Sequence, residues 1–460
     1  MEFDTPFFNE FTEAWTAQNG YQLSKTLSPE VSTEQLRKIW SSQNAHSIKN
    51  SLKRGLYGHS TPVEGLGQEE AQAWAEVYSA YWNAVGALLT ARESGNDSIK
   101  PSQLVWTRVY ETWKTLVNTL LRGYQNYGFE AWTLPCLYVV SKHLRLFAIA
   151  ADRERMDNPD LGENAAAMLQ DDYDPDSHKH ERLRDCAGVL TKVFTVCQTD
   201  RAPLQESRKW GVYYIINLLL KTYFKLNSVS LSKHILKSLQ AGRQDMPDLS
   251  AFPKSQQVTF MYHKGVLCFL EENYAEAEQH LTDAWNLCHR DAHRNKELIL
   301  TYLVPCHLIT THTLPTEKLL APYPILQKIF MPLCRCIKKG ELHQFDLALQ
   351  EGEDQFVKRR IYLTLERGRD IALRNLLRKV FIARGFEETK EGEKPVRRSR
   401  VPVAEFAAAI SLGSEEKVDN DEVECLLANM IYKGLMKGYI SRQHGIVVLS
   451  KTGAFPGTGV

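Results

Sequence analysis

Apolar residues recur at the helical period from residue 66 to about residue 384, and almost no run of alternating polar and apolar β-formers interrupts them. Residues 68–90, 102–123, 132–151, 181–197, 204–226, 255–270, 275–288 and 296–311 each carry such a face, with short breaks between most of them. Helices of this length joined by short turns cannot each bury an apolar stripe alone. Stacking as helical hairpins in a right-handed superhelix is the economical arrangement, so the pattern predicts a mostly α fold. A chain of 460 residues with 43% hydrophobic and 24% charged side chains has the length and the composition of an ordinary globular protein with such a core.

One hairpin meets a known template. In 261–289 the small residues fall where tetratricopeptide repeats need them: Gly265 in the first helix, Ala277, Leu281 and Ala284 in the second, and Asn273-Tyr274 at the turn. Glycine and alanine there let two backbones approach closely. The repeat's early tryptophan and terminal proline are absent. Two segments break the helical reading. Residues 152–180 carry Asp157, Asp160, Glu163, Asp171, Asp172, Asp174 and Asp176 with Pro159 and Pro175, and read as a mobile acidic insertion. Residues 386–402 mix Gly392 and Pro395 with the basic Arg397-Arg398-Ser399-Arg400, and read as a flexible loop.

The grammar changes after Pro402. A short helix at 403–412 and a turn at 413–420 precede a longer helix at 421–437, whose apolar face is Val423, Leu426, Leu427, Met430 and Ile431, with Asp419 or Asn420 as its cap. Residues 439–441 and 446–449, separated by Arg442-Gln443-His444-Gly445, read as a β-hairpin. With 361–384 as the first helix, this is the order of a winged helix. The expected organisation is helical repeats over 1–200, a repeat-like helical part over 201–352 and the winged helix over 353–460.

A helical stack running into a carboxy-terminal winged helix resembles the PCI domain of the proteasome lid, the signalosome and a translation initiation factor. Four stretches narrow the likeness: Leu220-Lys-Thr-Tyr-Phe-Lys-Leu-Asn227, Asn295-Lys-Glu-Leu-Ile-Leu-Thr-Tyr-Leu-Val-Pro305, Asp421-Glu-Val-Glu-Cys-Leu-Leu-Ala-Asn-Met-Ile-Tyr432 and Lys437-Gly-Tyr-Ile-Ser-Arg-Gln-His444. They resemble the family that contains the PCI subunit of the nuclear transcription-and-export complex and the fungal signalosome subunit twelve homologue. The resemblance implies a nuclear scaffold coupling transcription to messenger-RNA processing and export. It also implies a second PCI-domain scaffold subunit and a small acidic subunit of the proteasome-lid type as partners.

The remaining chemistry argues for binding rather than catalysis. No P-loop, zincin spacing or nucleophile elbow occurs, and Gly65-Leu-Gly67 lacks the strand a dinucleotide loop requires, so neither an enzyme nor a cofactor is expected. Cys288, His289 and His293 are the best metal candidates, but a buried cysteine beside helix-end histidines accounts for them, and Cys334-Arg-Cys336 has the wrong spacing for a zinc knuckle. The start lacks a signal pattern, the apolar run 212–220 is too short to span a bilayer, and the nine scattered cysteines suit a reducing cytosolic or nuclear compartment.

Lysine plus arginine (56) nearly balances aspartate plus glutamate (55), so any polyanion site must be local. Basic residues gather at Lys358-Arg359-Arg360, Arg367 and Arg369 and continue into the winged helix. Arg374, Arg378, Lys379, Lys433, Lys437, Arg442 and His444 are the candidates for contact with an RNA or DNA backbone. Asp419, Asp421, Glu422 and Glu424 at the start of the presumed recognition helix would repel phosphates, which argues against major-groove reading of sequence. Ile446, Val447, Val448 and Leu449 are expected to form an edge strand that pairs with a partner's sheet. The competing reading is a structural subunit of a signalosome- or proteasome-lid-like assembly that touches no nucleic acid.

Overall fold

A computed structural model describes residues 6–41, 47–57, 63, 65–94, 104–158, 180–387, 397–412 and 418–459. Asp160, Glu163, Asp171, Asp172, Asp174 and Asp176 of the expected insertion, with Pro159 and Pro175, lie outside these residues, as do Gly392 and Pro395. The fold is mostly helical, with a three-stranded sheet near the carboxy terminus. It divides into two compact units, Met1–His263 and Lys264–Val460. The boundaries expected near residues 200 and 352 fall inside these units.

The first unit opens with α1 (Pro6–Thr16), α2 (Gly20–Lys25), α3 (Thr33–Ser41) and α4 (Ile48–Tyr57). Three long helices follow: α5 (Gln68–Ser94), α6 (Val105–Asn126) and α7 (Leu134–Asp157). Val109, Tyr110, Trp113, Leu116, Val117, Leu120 and Tyr124 recur three or four apart on α6 and are all buried. Trp113 Nε1 donates to the Val140 carbonyl at 2.9 Å, while Trp106 lies against Phe147 and the Tyr124 hydroxyl meets Thr133, so α6 and α7 run antiparallel. The stretch 131–157 is long and apolar enough to cross a membrane, but most of it is buried in this stack.

Asp152 was expected to open a mobile insertion. Instead α7 continues to Asp157, and its acids cap its neighbours. Buried Asp152 accepts from the backbone N–H groups of Arg182 (2.9 Å) and Leu183 (3.0 Å), at the start of α8 (Glu181–Gln198). Buried Glu154 accepts from Val105 (2.8 Å), Trp106 (3.1 Å) and Thr107 (3.2 Å), the first turn of α6. Each carboxylate satisfies donors that no helical carbonyl reaches.

Residues 204–226, read from the sequence as one helix, form two 3-10 turns, Leu204–Glu206 and Arg208–Gly211, before α9 (Val212–Lys225). Buried Asp200 explains the break: it accepts from Ser207 Oγ (2.9 Å), the Arg208 backbone (2.7 Å) and Arg208 Nη2 (2.7 Å). Burial alone would raise its proton affinity, but these donors outweigh it and hold the carboxyl at about 2. The unit continues through α10 (Val229–Ala241) into α11 (Lys254–Leu270), within which the chain passes from one unit to the other.

In the second unit the tetratricopeptide expectation is met at close range. A Cβ on Gly265 would lie 2.8 Å from Leu281 Cγ, and Ala277, Leu281 and Ala284 of α12 (Tyr274–Leu287) are fully buried. His307, on α13 (His293–Thr310), pairs with Glu278 at 3.0 Å while Lys296 lies over the Trp285 ring at 3.9 Å, which makes α12 and α13 an antiparallel hairpin. Beyond come α14 (Glu317–Leu320), α15 (Pro324–Lys339), α16 (Leu342–Glu351) and α17 (Glu353–Lys358). The single helix expected at 361–384 is two, α18 (Tyr362–Glu366) and α19 (Gly368–Ala383). Gly368, at the break, sits against Leu308, whose Cδ2 would lie 2.9 Å from an added Cβ.

Candidate nucleic-acid and partner interface

The last module is built on α19, α20 (Val403–Ile410) and α21 (Asn420–Tyr432), with β1 (Arg400–Pro402), β2 (Gly438–Ser441) and β3 (Ile446–Leu449). Val401, Val403, Phe406, Val423, Leu427, Met430, Val447, Leu449 and Phe455 are buried, and Phe381 of α19 meets Phe455 with ring centroids 5.9 Å apart. The turn from β2 to β3 closes through Gly445 at φ 58, a left-handed conformation that glycine adopts without strain. Gly438 is required for another reason: a Cβ there would lie 2.5 Å from the Val448 carbonyl oxygen.

The sheet order is β1-β3-β2. This corrects the expectation for Ile446, Val447, Val448 and Leu449, which form the central strand and not an edge. Val447 pairs with Val401 on one side and Ile440 on the other, so backbone pairing with a partner's sheet is closed to β3. The outer strands are β1 and β2. Part of the loop expected to be flexible supplies β1, and Val403 N donates to the Gly445 carbonyl at 2.9 Å where that strand passes into α20.

The seven basic candidates occupy different environments. Arg374 is only 7% exposed and packs between His312 and Asn375, with burial first and Arg378 second lowering its proton affinity. Its guanidinium therefore does not face solvent, as a phosphate contact would require. Half-buried Arg378 donates to the Thr458 carbonyl at 3.4 Å, and Lys379 donates to the Lys339 carbonyl at 2.7 Å, at the end of α15. Lys433 pairs with Asp370 at 2.6 Å. Arg442 is 76% exposed but lies 3.2 Å from Asp421 and 3.5 Å from Glu424, so the acids of α21 offset the wing's guanidinium. His444 meets Ser441 Oγ at 3.0 Å through Nδ1, and the exposed ammonium of Lys437 has no ion-pair partner among the described residues.

Sequence reasoning passed over two aromatic residues at the same corner. Tyr432 ends α21 at 90% exposure, and Tyr439 on β2 is 62% exposed. Their signal was present in the motifs containing them, since a tyrosine off the apolar period of α21 belongs to the outer surface. Elsewhere, Cys288 is buried behind α12, His289 faces Asp291 and His293 lies near Tyr323. Among the described residues no three histidine, cysteine or acidic side chains are grouped to hold a metal ion. All nine cysteines are free thiols, and Cys425 alone among them is exposed.

The family model described as "PCI domain" matches residues 348–451, from the last turn of α16 through β3. A "Protein CSN12 homolog" of Neurospora crassa is 64% identical over 451 residues, 98% of each chain. The chain belongs to this PCI-domain family. A "Protein CSN12 homolog" of Schizosaccharomyces pombe is 40% identical, covering 70% of this chain and 71% of its own. "PCI domain-containing protein 2" of Danio rerio is 32% identical, covering 76% and 79%. PCI-domain proteins of this kind are scaffold subunits that assemble into protein complexes.

Proposed function

We propose that this scaffold serves a nuclear complex coupling transcription to messenger-RNA processing and export, in a non-catalytic role. Its winged helix lies beside that of a second PCI subunit, a small acidic subunit joins them, and nucleic-acid backbone passes over the wing. The observation that carries the reading is the corner where α21 meets β2: Tyr432 and Tyr439 stand in solvent, and between them in sequence lies Lys437, without an ion-pair partner among the described residues. Large exposed aromatics beside an unneutralised cation suit a protein or nucleic-acid contact better than open water.

A second reading has its own support. Arg442 and Lys433 are already paired with carboxylates, which reduces the free positive charge on that face and favours a signalosome- or lid-like structural subunit without nucleic acid. Purification of the tagged chain from nuclei, with mass spectrometry of what accompanies it, tests the assignment. Recovery of neither a PCI partner nor a small acidic subunit overturns it. A gel shift with single-stranded RNA in the reconstituted partner complex separates the readings: binding that weakens in Lys437→Glu supports the first, and no binding supports the second.

A further inference from the structure

In the first unit, α7 and α9 lie side by side and run in the same direction. Tyr138 stacks on Tyr214 with centroids 4.2 Å apart and planes at 23°, and two turns on Arg145 reaches Thr222 and Lys221. About 10 Å of helix separates the tyrosines from the cations on each element.

The cationic end carries an unbalanced charge. Arg145 Nε donates to Thr222 Oγ1 at 3.1 Å and Nη2 to the Lys221 carbonyl at 3.2 Å, which orients the guanidinium. Among the described residues, neither Arg145 nor Lys221 has a carboxylate partner. Partial desolvation lowers the proton affinity of half-buried Arg145 and, although its side chain reaches solvent, of Lys221, which Arg145 lowers further. The neighbouring groups do not compensate: burial and then the two cations push His263 down to about 3, and burial pushes the Cys186 thiol up to about 12, so both are uncharged. Two like charges held together are a cost that a bound anion relieves.

At the aromatic end Tyr138 and Tyr214 are half-buried and stacked on each other, and the ring that stands in solvent belongs to Tyr21. Tyr21 of α2 is 69% exposed and close enough to act electrostatically on both Tyr138 and Tyr214. The acid near this end, Glu30, pairs with Lys142 at 2.8 Å, which offsets its charge, and meets His143, whose proton affinity burial lowers, at 3.1 Å.

We propose that this face of the first unit binds single-stranded nucleic acid, with a base against Tyr21, beside the Tyr138–Tyr214 pair, and a phosphate at Arg145 and Lys221. An exposed aromatic ring joined to cations that lack a carboxylate partner among the described residues is the combination by which single strands are held without sequence preference. An acidic peptide would meet the cations but leave the exposed ring of Tyr21 unused. The site lies in the first unit and does not depend on the winged-helix reading.

The test is fluorescence anisotropy of the full chain with a labelled oligouridylate across a salt series. Tyr21→Ala and Lys221→Gln change exposed side chains, so the fold is expected to persist, as circular dichroism will show. Each is expected to weaken binding by about fivefold or more, and Lys221→Gln to flatten the salt slope by about 0.7. Ultraviolet crosslinking is expected to mark Tyr21. Wild-type affinity in both variants, or no binding by the wild-type chain, overturns the proposal. Displacement of the strand by polyglutamate with Tyr21→Ala unaffected also overturns it, in favour of an acidic peptide. Lys437→Glu distinguishes the two sites: loss there alone overturns the first-unit site and leaves the wing, whereas loss in Tyr21→Ala and Lys221→Gln alone supports the first-unit site and removes the wing.

Discussion

Asp200 and Gly265 are both held by their neighbours, one through charge and one through space. The donors around Asp200 depress its proton affinity to about 2, below the unfolded value of about 3.9. The stabilisation is therefore complete above the unfolded value and disappears as pH falls through the folded one, a difference of about 2.5 kcal/mol. Asp200→Asn is expected to lower stability at neutral pH by about 2 kcal/mol and to flatten the acid limb between roughly pH 4 and pH 2, read by urea unfolding. Gly265→Val would drive a side chain into Leu281, which lies 2.8 Å from the position of the first added carbon. A loss of about 1–3 kcal/mol is expected in thermal unfolding, partly recovered in the double variant with Leu281→Ala. The glycine was legible because its neighbours followed a spaced pattern. The capping roles of Asp152, Glu154 and Asp200 were not, because the groups they cap come from other helices or turns.

At the scale of elements, β1 decides the character of the winged helix. A three-residue strand ending in proline has no alternation to detect, and its identity comes from the partner it pairs with. Its pairing turns β3 from an edge into a centre, with Val401 fully buried opposite Val447. Val401→Asp places an unpaired carboxylate in that core and is expected to destabilise the chain by about 3 kcal/mol or more, seen as a lower urea midpoint and earlier aggregation on heating. The helices show the opposite case. The period located the long ones to within a few residues, but it missed the breaks at Asp200–Gly211 and Gly368, where a side-chain clamp and a close packing contact interrupt a pattern that is apolar throughout.

For the molecule as a whole, the proposed role rests on which surfaces remain uncommitted. Tyr432→Ala together with Tyr439→Ala is expected to weaken association with the PCI partner by at least about tenfold, measured by calorimetry, with the melting temperature unchanged because neither ring is packed. What the sequence by itself determined was the helical class, the repeat-like hairpin and the winged-helix order, because periodicity and motif spacing are properties of neighbouring residues along the chain, while the PCI family was legible as a resemblance of whole stretches. Only the tertiary structure decided that Arg374 is buried, that Arg442 and Lys433 are already paired, that β3 is central and that Arg145 donates to the Lys221 carbonyl with no carboxylate partner among the described residues. Burial, charge compensation and strand pairing depend on groups brought together through space, and no local pattern records which groups those will be.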